Sequence, residues 1–273
     1  MTMASSDMPL LGYGTFPLRG DEAKACTLMA LELGYRHLDT AQMYQNEAAI
    51  GQAMAASGLS RDDMFLTTKV HPDNYGKGAF AASVGRSLEA LGVDQVDLLL
   101  LHWPHASLAM PEVIERLVTT LDNGQARTIG VSNFNPENLA RAQDLAGGRI
   151  ACNQIEIHPF LDQRPTIEAA ARLGIRLTAY CPVARGKVTD DPTLQAIGQA
   201  HGKSAAQIAI AWLVRQGIAA IPMSRNHARA EANLEAGEIA LGVEEMTRID
   251  AIGQADGKMV KPAGLTPVWG SSS

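Results

Sequence analysis

Short apolar runs rich in Val, Ile, Leu and Thr alternate along this chain with longer stretches whose apolar residues recur every third or fourth position. A strand turns successive side chains to opposite faces, whereas a helix brings them round every ~3.6 residues, so the short runs predict strands and the long ones helices. Eight strands are predicted, at residues 10–15, 35–40, 64–70, 96–102, 128–132, 152–157, 176–180 and 219–223. Helix starts are marked by Asn46 before EAAIGQAMAASG, Pro111 before EVIERLVTTLDNG and Asn135-Pro136 before ENLARAQDLAG, because a side-chain acceptor or a proline suits the first turn. Gly34, Gly58, Gly92, Gly124, Gly174 and Gly217 follow periodic stretches, where a left-handed residue ends a helix. Residues 192–216 hold enough helical pattern for two helices in one crossover.

Eight βα units with no linker or charge block between them predict an α/β chain folded as a (β/α)8 TIM barrel. A single domain over residues 1–273 is expected, with a short lead-in at 1–8 and a solvated tail at 270–273. An open doubly wound sheet would carry a GxGxxG turn after its first strand. Here Gly12-Tyr13-Gly14 runs into Thr15-Phe16-Pro17, which breaks that spacing, and no Walker loop occurs.

Length and composition fit that picture: 273 residues is close to the ~250 of a typical barrel. With 46% hydrophobic and 19% charged residues the chain can bury a large core, which excludes intrinsic disorder. The net charge of −6, from 23 Lys+Arg against 29 Asp+Glu, gives no attraction to nucleic acid or to an anionic membrane surface. Cys26, Cys152 and Cys181 form no CxxC pair, which disfavours a disulfide framework and a zinc site. A basic leader and a membrane-length apolar run are both missing from the sequence. A cytoplasmic monomer acting on a small molecule is expected.

Catalytic side chains of a barrel come from the C-terminal ends of its strands, so polar residues that end apolar runs are the candidates. These are Asp39 with Tyr44 just beyond, Lys69, His102-Trp103, Ser132-Asn133, Gln154 and Tyr180. Asp39 and Lys69 end apolar strands, where both charges are expected to be buried, and buried charges survive when paired. An ammonium beside a tyrosine stabilises its phenolate and lowers its pKa, and a histidine can orient a substrate oxygen. The set is equipment for protonating a carbonyl oxygen while its carbon is attacked. Two other readings stand beside it. A strand-end lysine can form a Schiff base, as in aldolases, and a barrel can serve as a non-catalytic nucleotide-sensing subunit. His102 and His105 lack the further ligands a metal needs. His158 reads as structural or as a rim residue, and Cys181 as a small apolar filler.

The segments GYRHLDTAQMYQNE, FLTTKV, DLLLLHWP, IGVSNF, NQIEIHP, AYCPVARG, IPMS and GLTPVWG stand in the order and spacing of the aldo-keto reductase superfamily. Over nearly its whole length the chain resembles the short bacterial members that reduce 2,5-diketo-D-gluconate and methylglyoxal. The resemblance implies hydride transfer from a nicotinamide cofactor to an aldehyde or ketone, with Asp39, Tyr44, Lys69 and His102 as the catalytic tetrad and Tyr44 as proton donor. It further implies that Ser132, Asn133 and Gln154 hold the carboxamide, Tyr180 stacks on the ring, and Pro182, Val183, Arg185 and Gly186 line the pyrophosphate.

Ser224, Arg225, Arg229 and Asn233 are the implied adenosine-phosphate contacts, although Met223 stands where the family often has lysine and Ala232 where it often has glutamate. The two arginines favour NADPH, with NADH possible. Phe16, His71, His102 and Trp103 are the implied substrate contacts. Phe16 and His71 stand where tryptophan is common, the 104–111 segment is short and the C-terminus brief, so an open mouth for small polar carbonyls is expected.

Overall fold

The eight apolar runs become eight parallel strands: β1 Tyr13–Gly14, β2 His37–Asp39, β3 Phe65–Val70, β4 Val96–Leu101, β5 Ala126–Ser132, β6 Ile150–Glu156, β7 Arg176–Tyr180 and β8 Ala219–Ala220. The structure, a computed structural model, describes residues 8–105, 107–262 and 265. The expected tail at 270–273, most of the 1–8 lead-in and most of GLTPVWG lie outside the described residues. The strands pair in chain order from β1 to β8. The sheet then closes on itself through a parallel bridge between Leu11 and Ala220. Across this seam the Gly12 N–H donates to the Ala220 carbonyl at 2.9 Å, and the Ala220 N–H to the Leu10 carbonyl at 2.8 Å. The result is the (β/α)8 barrel of the prediction.

The strands at the seam are shorter than the sequence pattern predicts. Pro222 has no N–H to donate, so the regular ladder of β8 stops early, although the Gly14 N–H still reaches the Pro222 carbonyl at 3.2 Å. The close approach also explains the Gly-Tyr-Gly run. A Cβ on Gly14 would lie 2.6 Å from the Ile221 carbonyl oxygen, and one on Gly12 would lie 2.7 Å from the His37 ring.

Helices cover the outside: α1 Gly20–Leu33, α2 Glu47–Ala56, α3 Ala79–Leu91, α4 Met110–Asp122, α5 Pro136–Leu145 and α6 Arg164–Arg172. The last crossover carries the expected pair, α7 Pro192–His201 and α8 Ala205–Arg215, followed by α9 His227–Glu235 and α10 Val243–Asp250. All six helix-ending glycines have positive φ, from 66° at Gly174 to 107° at Gly34. Asn135 caps α5 by accepting from the Asn138 N–H at 2.8 Å. Asn46 does not cap α2. Its buried amide donates instead to the Leu18 and Thr15 carbonyls and accepts from the Thr40 hydroxyl at 2.6 Å, tying the loop after β1 to the end of β2.

Strand parity divides the core into two parts. Leu66, Leu99, Leu101, Ile129 and Val131 pack outward against helix residues such as Ile114 and Leu117. Phe65, Leu98, Leu100, Cys152 and Ala219 form a separate inner cluster with Met8. The barrel is therefore filled by side chains, and its polar chemistry is confined to the layer above them.

Candidate active site

The inward parity of the strands delivers polar residues to one end of the barrel. Asp39 follows His37 on β2, Lys69 follows Phe65 and Thr67 on β3, His102 follows Leu98 and Leu100, and Gln154 follows Cys152 on β6. Each is two or four residues beyond an inner position, so each points to the same side of its strand. Ser132 and Tyr180 end β5 and β7 in the same way.

Lys69 is wholly buried. Its Nζ lies 2.5 Å from Asp39 Oδ1, 2.9 Å from the Thr40 carbonyl and 3.3 Å from the Tyr44 hydroxyl. The second oxygen of Asp39 accepts from Gln154 Nε2 at 2.6 Å. The tyrosine ring is set edge-on to His102, with centroids 5.5 Å apart, and beside Phe16 at 5.2 Å. The four residues predicted as a tetrad are thus in one cluster.

Their electrostatics follow from burial and pairing. Burial alone would push the Lys69 ammonium down, but the Asp39 carboxylate and Tyr44 outweigh it and hold its pKa above the usual lysine value. Tyr44 departs from the expectation. Burial raises its phenol above the ordinary value, and although Lys69 pulls in the opposite direction it does not overcome that cost. The side chain is a neutral phenol with a hydroxyl to give. His102 is held well below its usual pKa by burial and by the nearby Lys69 charge, so its ring is neutral. Its Nδ1 is buried with no hydrogen-bond partner among the described residues.

A cleft of about 730 Å³ opens above this cluster, lined by Asp39, Tyr44, His102, Trp103, Phe16 and Gln154 among others. Ser132, Asn133 and Tyr180 form one wall. Asn133, at φ 65°, donates to the His102 carbonyl at 3.0 Å, and its Oδ1 accepts from the Tyr180 hydroxyl at 2.7 Å. Pro182, Val183 and Arg185 continue that wall in a tight turn where Cys181, Ala184 and Arg185 all have positive φ. Such strain is held where the surroundings fix it, and it is concentrated here at the cleft edge. Burial pushes the Cys181 thiol up, away from a reactive thiolate.

Other predicted residues lie elsewhere. His71 caps the turn after β3, its Nδ1 accepting from the Asp73 N–H at 3.1 Å, and it does not line the cleft. Ser224 is buried beside the seam, its carbonyl accepting from the Tyr13 hydroxyl at 2.7 Å. Arg225 is engaged by Glu22, with Nε 2.6 Å from Oε1. Arg229 and Asn233 sit on α9, whose first turn is capped by Asn226. Arg229 is exposed and has no ion-pair partner among the described residues. Gly186 completes the turn after β7 at φ 92°. His105 is bound to its own loop through the Ser107 and Leu108 amides, and His158 is buried against Glu156.

The expectation of an open mouth needs correction. Met259, Val260, Lys261, Pro262 and Leu265 line the same cleft, so the brief C-terminal segment is a wall of the site. This segment has no strand or helix period, so the periodicity that located the strands and helices gives no sign of it.

Known proteins agree with this architecture. The model of the Aldo/keto reductase family matches residues 10–254. Methylglyoxal reductase DkgB of Escherichia coli O157:H7 is 38% identical over 265 residues, covering 96% of this chain and 99% of the relative. A crystal structure assigned as 2,5-diketo-D-gluconic acid reductase B superposes with a TM-score of 0.94 at 45% identity, over 98% of this chain and 97% of the other. An aldo/keto reductase from Brucella melitensis gives a TM-score of 0.86 at 35% identity, over 90% and 94% of the two chains.

Proposed function

The chain belongs to the aldo/keto reductase family and is an NAD(P)H-dependent oxidoreductase that reduces carbonyl groups, and on that premise we propose that Tyr44 is the proton donor, NADPH the preferred cofactor, and a compact dicarbonyl or diketo sugar acid the substrate. The observation that carries the reading is the contact of Lys69 Nζ with both Asp39 and the Tyr44 hydroxyl on the floor of the cleft.

The residues fit a dinucleotide. Asn133 and Gln154 present amide groups at the cleft wall, and Tyr180 presents a ring held by its hydroxyl. Pro182, Val183, Arg185 and Gly186 form the strained turn that would line the pyrophosphate. Ser224 and Arg225 precede the capped N-terminus of α9 and Arg229 lies in its first turn, a setting that favours phosphate, while Asn233 stands in its last turn. When bound, the nicotinamide supplies the hydride that adds to the carbonyl carbon.

The chain's own residues handle the other half of the reaction. The substrate oxygen sits between the Tyr44 hydroxyl and the neutral ring of His102, which orients it. As the carbonyl carbon is attacked, the oxygen gains negative charge and takes the Tyr44 proton. The phenolate left behind is stabilised by Lys69, whose charge is secured by Asp39. Solvent then returns a proton to Tyr44. A Schiff-base role needs a neutral lysine amine, whereas Asp39 and Tyr44 hold Lys69 in its charged form.

Steady-state oxidation of NADPH with methylglyoxal and with 2,5-diketo-D-gluconate tests the proposal. Turnover that the Tyr44→Phe variant loses is expected. No oxidation with either substrate, by either NADPH or NADH, would refute it.

A further inference from the structure

Glu156 is the last residue of β6 and is almost fully buried, yet it does not line the cleft. Its carboxylate is satisfied from the C-terminal segment. Oε1 accepts from the Met259 backbone N–H at 2.7 Å and Oε2 from the Val260 N–H at 3.1 Å. The His158 ring also lies 3.1 Å from Oε1. Two consecutive amides on two oxygens of one carboxylate fix both the position and the direction of a chain that has no ladder of its own.

Two further contacts seat the same segment. Gln254 bridges to Leu161, and its N–H donates to the Phe160 carbonyl at 3.2 Å. Gly257 lies so close to that loop that an added Cβ would stand 1.9 Å from the Phe160 carbonyl oxygen. Beyond these anchors the chain runs as Met259 to Pro262 along the cleft that Tyr44 and His102 open into.

We propose that Glu156 is a positioning residue for substrate selection: its carboxylate clamps the Met259 and Val260 amides and so sets how much room the cleft leaves for the group attached to the carbonyl. The proposal rests on the reductase reading of that cleft. Glu156 makes none of its hydrogen bonds to Asp39, Tyr44, Lys69 or His102, so its loss moves the wall and leaves the proton path in place. The substrate class that follows is a carbonyl flanked by a small group, because a fixed wall excludes a bulky one at little cost to the compact one.

The test uses the full chain, with hydrogen exchange as a readout that needs no turnover. In Glu156→Gln, one acceptor oxygen becomes an NH2 group facing an amide donor, and the Met259 and Val260 amides are expected to lose protection by about tenfold or more. The kcat/KM ratio of a bulky aryl ketone to methylglyoxal should rise by about fivefold, chiefly through KM, with kcat for methylglyoxal within about threefold of wild type. Gly257→Ala keeps Glu156 and lifts the segment off Phe160, and it should shift the ratio in the same direction even if Glu156→Gln fails to fold. Unchanged protection together with an unchanged ratio would overturn the clamp. An equal fall in kcat for every substrate would overturn selection in favour of a general structural role. No wild-type turnover of either ketone or dicarbonyl would overturn the reductase reading itself, while the exchange data would still decide the clamp.

Discussion

Gln154 Nε2 donates to Asp39 Oδ2 at 2.6 Å, joining β6 to β2 across the barrel interior. One amide from the proposed cofactor wall therefore holds the carboxylate that holds Lys69. With one N–H committed to Asp39, Gln154 has its carbonyl oxygen and a second N–H left to meet a ligand. The link couples the proposed cofactor wall to the proposed proton donor, Tyr44, through three hydrogen bonds.

The first prediction concerns that buried pair. Asp39→Ala leaves the Lys69 ammonium buried without its carboxylate, and stability should fall by ~3–5 kcal/mol. Asp39→Ala combined with Lys69→Met should recover part of the loss. Urea unfolding of the two single variants and the double variant checks this, and purely additive losses would show that the two charges do not depend on each other.

Tyr44→Phe should retain the fold and cofactor affinity while kcat drops by ~10² or more, the scale of a lost general acid. Turnover within a few-fold of wild type would move the proton donor to His102.

The pH profile follows from the raised phenol. A general acid works while protonated, and its pKa lies above the ordinary tyrosine value, so reduction rates should show no Tyr44-dependent fall until the pH exceeds about 10. Lys69→Met removes the one influence pulling that pKa down and should push any basic limb still higher while slowing turnover. A basic limb near neutrality in the wild type would show that Lys69 dominates Tyr44 when cofactor is bound.

Arg229 is the better placed arginine for a 2′-phosphate, because Glu22 already occupies Arg225. Arg229→Ala should weaken NADPH binding more than NADH binding by ~1.5–3 kcal/mol. Equal losses by fluorescence titration would place the phosphate elsewhere.

Glu156 predicts an acid-sensitive contribution to stability. Burial would raise its carboxyl, but the His158 ring and the Met259 and Val260 amides hold it below the usual value. A depressed carboxylate stabilises the fold above its unfolded pKa of ~4.5, and that contribution is lost as the pH falls through the folded value. The Tm difference between wild type and Glu156→Gln should accordingly be largest at neutral pH and narrow below about pH 4. A difference that is constant with pH would show that charge plays no part.

Much of the site was legible because strand parity is a local property. HLD, FLTTKV and NQIE each alternate inner and outer residues, and the polar inner residue at each end can be read off without knowing the fold's dimensions. The motifs around Tyr44, Ser132 and Tyr180 carried the family resemblance. What escaped the sequence depends on contacts between distant segments. Asn46 has the composition of a helix cap, but its amide is taken by Leu18 and Thr15. Arg225 reads as a free phosphate ligand until Glu22, 203 residues away, is found on it. The fall in tyrosine pKa expected from Lys69 was one real influence among three, and the largest, burial, has no signature in residue spacing. The C-terminal wall was hidden because backbone amides bind Glu156 whatever the side chains of Met259 and Val260.

The seam between β1 and β8 also governs how the protein comes into being. Its hydrogen bonds join Leu10 and Gly12 to Ala220, and the Tyr13 hydroxyl reaches the Ser224 carbonyl across 211 residues. During synthesis the first strand therefore waits for the last before it has both neighbours. Until Ala220 has left the ribosome, β1 and β7 each present an open edge to other chains. The net charge of −6 gives such intermediates some mutual repulsion, and a chain truncated before β8 keeps both edges for good.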